Sequence, residues 1–182
     1  MEMQSRLLVT DNQRKLAETE RAESEARLRA IIEAEPECIK ILDGEACLLQ
    51  MNPAGLVMIE ADELMTVLGQ PIAKLIVPEH RAMYEAMHRE VIAGASRVLE
   101  FEILGLKGTR RWMETHAVPL CLGGQVVQLA VTRDISERKR VEAELARHRQ
   151  HLEDLVTERT CALSEAKLAA ETANVAKSAF IA

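Results

Sequence analysis

Residues 99–139 read LEFEILGLKGTRRWMETHAVPLCLGGQVVQLAVTRDISERK, and the alternation within that stretch decides the fold. Leu99, Phe101 and Ile103 alternate with Glu100 and Glu102, the period-two pattern of a half-buried strand. Gly105 to Gly108 makes a turn, Arg111 to Val118 forms the next strand, and Gly123-Gly124 turns the chain again into a last strand from Gln125 to Arg133. Three strands therefore form a meander. No Gly or Pro separates Arg133 from Ser136-Glu137-Arg138-Lys139, so the last strand passes directly into a helix. Asp134 followed three residues later by Glu137 fits a capping box, with Ser136 as the competing cap.

Upstream, Cys38 to Leu42 and Cys47 to Met51 flank the turn-type loop Asp43-Gly44-Glu45 and read as a hairpin. Asn52-Pro53-Ala54 starts a helix, because Asn caps a first turn and Pro fits its first position. Pro78-Glu79 opens another, running to a stop at Gly94. A hairpin, then helices, then a meander predicts an α+β domain with an antiparallel sheet and its helices on one face.

All eight glycines lie between Gly44 and Gly124 and all five prolines between Pro36 and Pro119. This divides the chain into an N-terminal amphipathic helix (1–35), a central domain (36–135) and a C-terminal helix (136–182). In the last, Leu145, Leu152, Arg159, Ala166, Ala173 and Phe180 recur every seven residues, while His148, Leu155, Ala162, Ala169 and Ala176 fill the intermediate seam. Arg159 and His148 are poor seam residues, but the pattern is that of a two-stranded coiled coil. A helix of that length extends roughly 70 Å at 1.5 Å per residue. A single helix packed along its own domain is the alternative; the central domain is too small to bury the whole stripe, so the expected partner is a second copy, as a parallel homodimer.

Composition narrows the function. With 23 Lys+Arg against 29 Asp+Glu in 182 residues, the chain lacks the basic field that nucleic-acid binding requires. Four aromatic residues, Tyr84, Phe101, Trp112 and Phe180, provide no array of stacking platforms for bases. No apolar run is long enough to span a membrane and no secretory signal is visible, so a cytoplasmic location is expected, with any membrane attachment supplied by other regions of a parent protein. Cys38, Cys47, Cys121 and Cys161 are scattered, without the spacing of a zinc site or a disulfide framework.

The central residues resemble a PAS sensor domain. The resemblance rests on the Asp43-Gly44 hairpin, Asn52-Pro53-Ala54, Leu68-Gly69-Gln70 leading to Leu75-Ile76-Val77-Pro78-Glu79-His80-Arg81, Arg111-Trp112-Met113-Glu114, and Val131 to Lys139. It implies a five-stranded antiparallel sheet flanked by long signalling helices. It also implies that Asp134 and Ser136, which look like the family's Asp-x-Thr junction with Ser in the Thr place, couple the sheet to the helix. Residues 162–182 are similar to the lead-in to the dimerisation helix of sensor histidine kinases. No His in the chain carries the Glu-x-Arg-x-Pro sequence of that family's phosphoacceptor, and no ATP-binding domain is present. The expected function is that of a sensory and dimerisation module of a two-component histidine kinase, itself without kinase activity. A spacer that senses nothing and the sensor module of a diguanylate cyclase are the alternatives. Leu8 to Leu16 faintly echoes Ala130 to Arg140, as though another such domain ended just upstream.

The resemblance also implies a space between helices and sheet that can hold haem, flavin or a metabolite. Haem needs an inward axial ligand, yet neither His80 nor His88 stands where haem-binding relatives carry theirs. Photoadduct chemistry needs a Cys that Leu68-Gly69-Gln70-Pro71-Ile72 lacks, and one Trp and one Tyr give noncovalent flavin few stacking groups. A small apolar or weakly polar metabolite is the better candidate, with Met51, Met83, Tyr84, Met87, His88, Phe101, Met113 and Thr115 as possible pocket residues. These residues equally suit an ordinary core. Trp112 shares a strand face with Glu114 and His116 and is expected on the outer side, against a flanking helix.

Overall fold

The computed structural model describes the backbone of residues 2–181 and the side chains of residues 14, 15 and 17–167. Helix α1 (Glu2–Ala34) precedes the hairpin strands β1 (Cys38–Leu42) and β2 (Leu48–Met51). Next come α2 (Pro53–Ile59), two 3-10 turns (Leu64–Thr66 and Ile72–Leu75) and α3 (Pro78–Ile92). The meander is β3 (Arg97–Leu104), β4 (Arg110–Leu122) and β5 (Gln125–Asp134), and α4 (Ser136–Ile181) follows. The chain forms two compact units, residues 1–136 and 137–182.

The sheet order is β2-β1-β5-β4-β3 with antiparallel pairing throughout. The hairpin returns to the meander through β1, which pairs with β5 in the register Cys38 with Thr132 and Lys40 with Ala130. In β1 the side chains of Cys38, Lys40 and Leu42 are buried while Ile39 and Ile41 are partly exposed, so the period of two turns Lys40 toward the core. α2 packs on β1, and α3 lies across β3, β4 and β5. Leu48, Ile59, Ile76, Tyr84, Val91, Phe101 and Met113 fill the space between helices and sheet.

Local chemistry explains the boundaries. Asp43 folds the hairpin turn by accepting the N–H groups of Glu45 and Cys47 at 2.9 and 2.8 Å. The left-handed residue there is Ala46 (φ 61°) rather than Gly44. β2 begins one residue later than the sequence predicts, because Cys47 bridges to Pro71 instead of continuing the strand. β4 runs past Val118 to Leu122. β3 stops pairing with it at Ala117, so Pro119 lies where β4 has lost that neighbour.

In α4 the seam residues Leu145 and Leu152 are exposed, as are Val141, Val156 and Leu163. Ala169, Ala173, Ala176 and Phe180 fall outside the described side chains, as do most of the kinase-like lead-in and the Leu8–Leu16 echo apart from Arg14 and Lys15. No described helix is long and apolar enough to cross a membrane.

Candidate functional site

Two features sit on shared strands: an interior cavity and the junction between β5 and α4. The cavity, about 30 Å³, lies between the sheet and the helical layer. Met51, Tyr84, Phe101 and Met113 line it. Met87, His88 and Thr115 are buried but do not line it. Met83 is a correction: it is 43% exposed, because the turn that points Tyr84 and Met87 inward carries Met83 outward. His88 is held by Gln128 Oε1 at 2.7 Å and lies 3.3 Å from the Gly44 carbonyl. A cavity of this volume holds a water molecule or a few heavy atoms, far too little for haem or flavin in this conformation.

Sequence reasoning passed over the most unusual residue of the cavity. Lys40 is 4% exposed and lines it together with Cys38, Met58, Ile72, Leu75 and Thr132. Its ammonium donates to Thr132 Oγ1 at 2.5 Å, and Thr132 in turn shares a hydrogen bond of 2.7 Å with Thr115. Burial pushes the Lys40 ammonium down, and the neighbouring Cys38 thiol opposes this. Burial pushes the Cys38 thiol up. The Tyr84 phenol is also pushed up by burial, which outweighs the opposing effect of the Gln128 side chain beside it. The available signal was the position of Lys40 itself, in phase with Cys38 and Leu42 in a strand whose other residues are isoleucines.

The junction is built from paired backbone and side-chain contacts. Ile135 donates its N–H to the Trp112 carbonyl at 2.8 Å, extending the β4–β5 ladder by one bond, and Ile135 is buried. The Trp112 N–H donates to Ser136 Oγ at 2.9 Å. One Asp134 oxygen accepts the Ser136 N–H at 2.8 Å and the other accepts from Arg111 at 2.9 Å. Partial burial pushes the Asp134 carboxyl up, but Ser136 and the Arg111 guanidinium outweigh it and leave the group below the usual carboxylate range. The expected capping box does not form: Glu137 pairs with Arg140 at 2.6 Å, and Asp134 reaches only two residues ahead. The Trp112 ring meets His80 of α3, with centroids 5.2 Å apart.

At the same end of the sheet, where β1 starts beside the last residues of β5, Asn52 ties α1 to the core. Its Oδ1 accepts from Ile39 and Gly55, and its amide nitrogen faces the carbonyls of Ile32, Glu35 and Glu37.

A half-covered antiparallel sheet, a small cavity against its covered face, and an outlet from the last strand into a helix define a receptor-type α+β domain. A family model described as PAS fold matches residues 32–140, and the chain belongs to that family. The PAS domain of an HTR-like protein from Haloarcula marismortui is similar, with 25% identity and a TM-score of 0.60 over 66% of this chain and 99% of that one. So is the PAS domain of nitrogen regulation protein NR(II) from Vibrio parahaemolyticus (19%, TM-score 0.51, 59% and 96%). A domain of a sensory box sensor histidine kinase/response regulator from Geobacter sulfurreducens shares the fold as well (21%, TM-score 0.51, 59% and 92%). No curated protein matches the chain. The chain is thus a PAS sensory domain with long helical extensions.

Proposed function

We propose that this chain is the sensory and dimerisation module of a two-component sensor histidine kinase, passing a bias from its sheet through Asp134 and Ser136 into a parallel coiled coil of two copies. The observation that carries the reading is the hydrogen bonding of Ser136: the first residue of α4 is fastened by its hydroxyl to β4 and by its N–H to Asp134. The exposed leucines of α4 support pairing, since a seam at heptad spacing is stabilised by burial against an equivalent helix. The chain itself catalyses nothing in this reading; the phosphoacceptor and ATP-binding parts belong to the parent kinase.

The test is Asp134→Ala in the full-length kinase. Stimulus-dependent autophosphorylation is lost while sedimentation still shows a dimer; unchanged signalling overturns the relay. The small volume of the cavity favours one second reading, a spacer that dimerises and senses nothing. Mass spectrometry of small molecules extracted from the purified chain, with its absorption spectrum, separates the two.

A further inference from the structure

The interior is short of hydrogen-bond acceptors. An ammonium carries three donors, and Lys40 uses one, on Thr132. The Tyr84 hydroxyl is buried beside the Gln128 side chain and still has its own proton to donate to a further acceptor. No described carboxylate lines the cavity; its titratable groups besides Lys40 are the Cys38 thiol from β1 and the Tyr84 phenol from α3. Every other lining side chain except Thr132 is apolar. A buried cation without a counter-ion is costly, and natural interiors pair such groups.

We propose that Lys40 is the anchor for the acid group of a small monocarboxylate bound in this cavity. The carboxylate presents two oxygens with about four acceptor positions, which answers the surplus of donors. One acid group is enough, since a second would face only methionine, isoleucine, leucine and phenylalanine side chains. The volume limits the tail to a carbon or two, and only with movement of Met51, Met58 and Met113, whose unbranched thioethers repack readily. The assignment deepens the sensory reading and rests on it only for the consequence of binding.

The experiment uses the whole chain, labelled at its methionine methyl carbons. It is titrated by NMR with formate, acetate and propionate, then with formamide, acetamide and propionamide, and with nitrate. The expected result is saturable shifts at Met51, Met58 and Met113, with the exposed Met65 methyl unmoved. The neutral amides and nitrate bind at least about tenfold more weakly. Lys40→Met, which removes a buried charge at similar volume and therefore folds, loses the carboxylate response. Should it fail to fold, the amide comparison on the unaltered chain carries the test alone. Lining methyls that stay unmoved up to on the order of 50 mM carboxylate, amides or nitrate that match the acids, or a folded Lys40→Met that still responds overturn the proposal. Such a failure leaves the Asp134 relay standing, whereas lost relay with intact binding overturns only the relay.

Discussion

Replacing Asn52 by Ala removes a residue that fastens three segments at once. Its side chain accepts the Ile39 N–H at 2.9 Å and the Gly55 N–H at 3.1 Å. Its amide nitrogen lies 3.1, 3.3 and 2.9 Å from the carbonyls of Ile32, Glu35 and Glu37. The residue is 4% exposed, so water does not replace the two acceptor-side bonds when the side chain is cut back. Loss of a helix N-cap costs about 1 kcal/mol, and an unpaired buried N–H costs roughly 1–3 kcal/mol. The carbonyls lie on half-exposed or exposed residues and recover part of their hydration. The net loss is therefore about 2–4 kcal/mol, which lowers the thermal midpoint by roughly 5–15 °C in a chain of this size.

Calorimetry on the two proteins checks the magnitude, and hydrogen exchange at the Ile39 and Gly55 amides checks its origin. A fall of less than about 2 °C, or unchanged exchange at those amides, refutes the reasoning. Asn52→Asp gives an internal control of sign. It keeps one acceptor oxygen and turns a second toward three carbonyls, so its folded-state pKa rises above the unfolded value of about 3.9. Its stability is fully present below that unfolded value, where the protonated group can still donate, and is lost as pH rises through the elevated folded one.

Gly55→Ala places a methyl 2.5 Å from Met51 Cγ and 2.7 Å from Cys38 Sγ, so the α2–β1 contact must open; a loss of about 1–3 kcal/mol is expected in the urea midpoint. Asp134→Asn weakens the clasp on Arg111 and Ser136 at neutral pH. Because the folded pKa of Asp134 is depressed, its contribution is present above the unfolded value of about 3.9 and vanishes as pH falls through the lower folded one; urea titrations of the two proteins must converge there. Leu152→Asp puts a charge on the exposed seam of α4 and should shift sedimentation from dimer toward protomer, with little change in the melting of the sheet domain.

The sheet domain was legible because its patterns are local. Alternation in 99–103, the Gly-marked turns of the meander and the Asn52-Pro53 start all use signals spanning a few residues, and the observed elements follow them closely. The cavity was legible only in part. Tyr84, Phe101 and Met113 follow from strand and helix period, but Met83 falls at the edge of the α3 stripe that buries Tyr84, Met87, His88 and Val91, so it is exposed although Met87 lies one turn further on. Thr115 and Thr132 find each other through the β4–β5 register, which no local pattern specifies. Lys40 was missed because a lysine in a short strand reads as a solvated residue unless its neighbours' faces are compared. The left-handed Ala46 and the Asp134-to-Ser136 turn were equally hidden: each depends on backbone geometry that several residue types tolerate.

The cavity and the junction lie on the same two strands, and this sets what a ligand can do. Thr132, which receives Lys40, stands two residues before Asp134 on β5, about 7 Å at the strand rise. Met113, which lines the cavity, pairs with Asp134 across the ladder, and the next residue back, Trp112, holds Ser136. Proximity alone transmits nothing; a ligand shifts an equilibrium only by the difference in its affinity for the two states. The element within reach of both is the Thr132 hydroxyl, which accepts from Lys40 and shares a bond with Thr115. In the proposed relay, an acid group that draws the ammonium away from Thr132 would change the bond that Thr132 shares with Thr115 across the β4–β5 pair leading into α4. Thr132→Val separates binding from transmission: the ammonium keeps its affinity for an anion, while the shift in Trp112 and Ser136 amide resonances that accompanies binding in the unaltered chain disappears. Persistence of that shift in Thr132→Val means the coupling runs elsewhere.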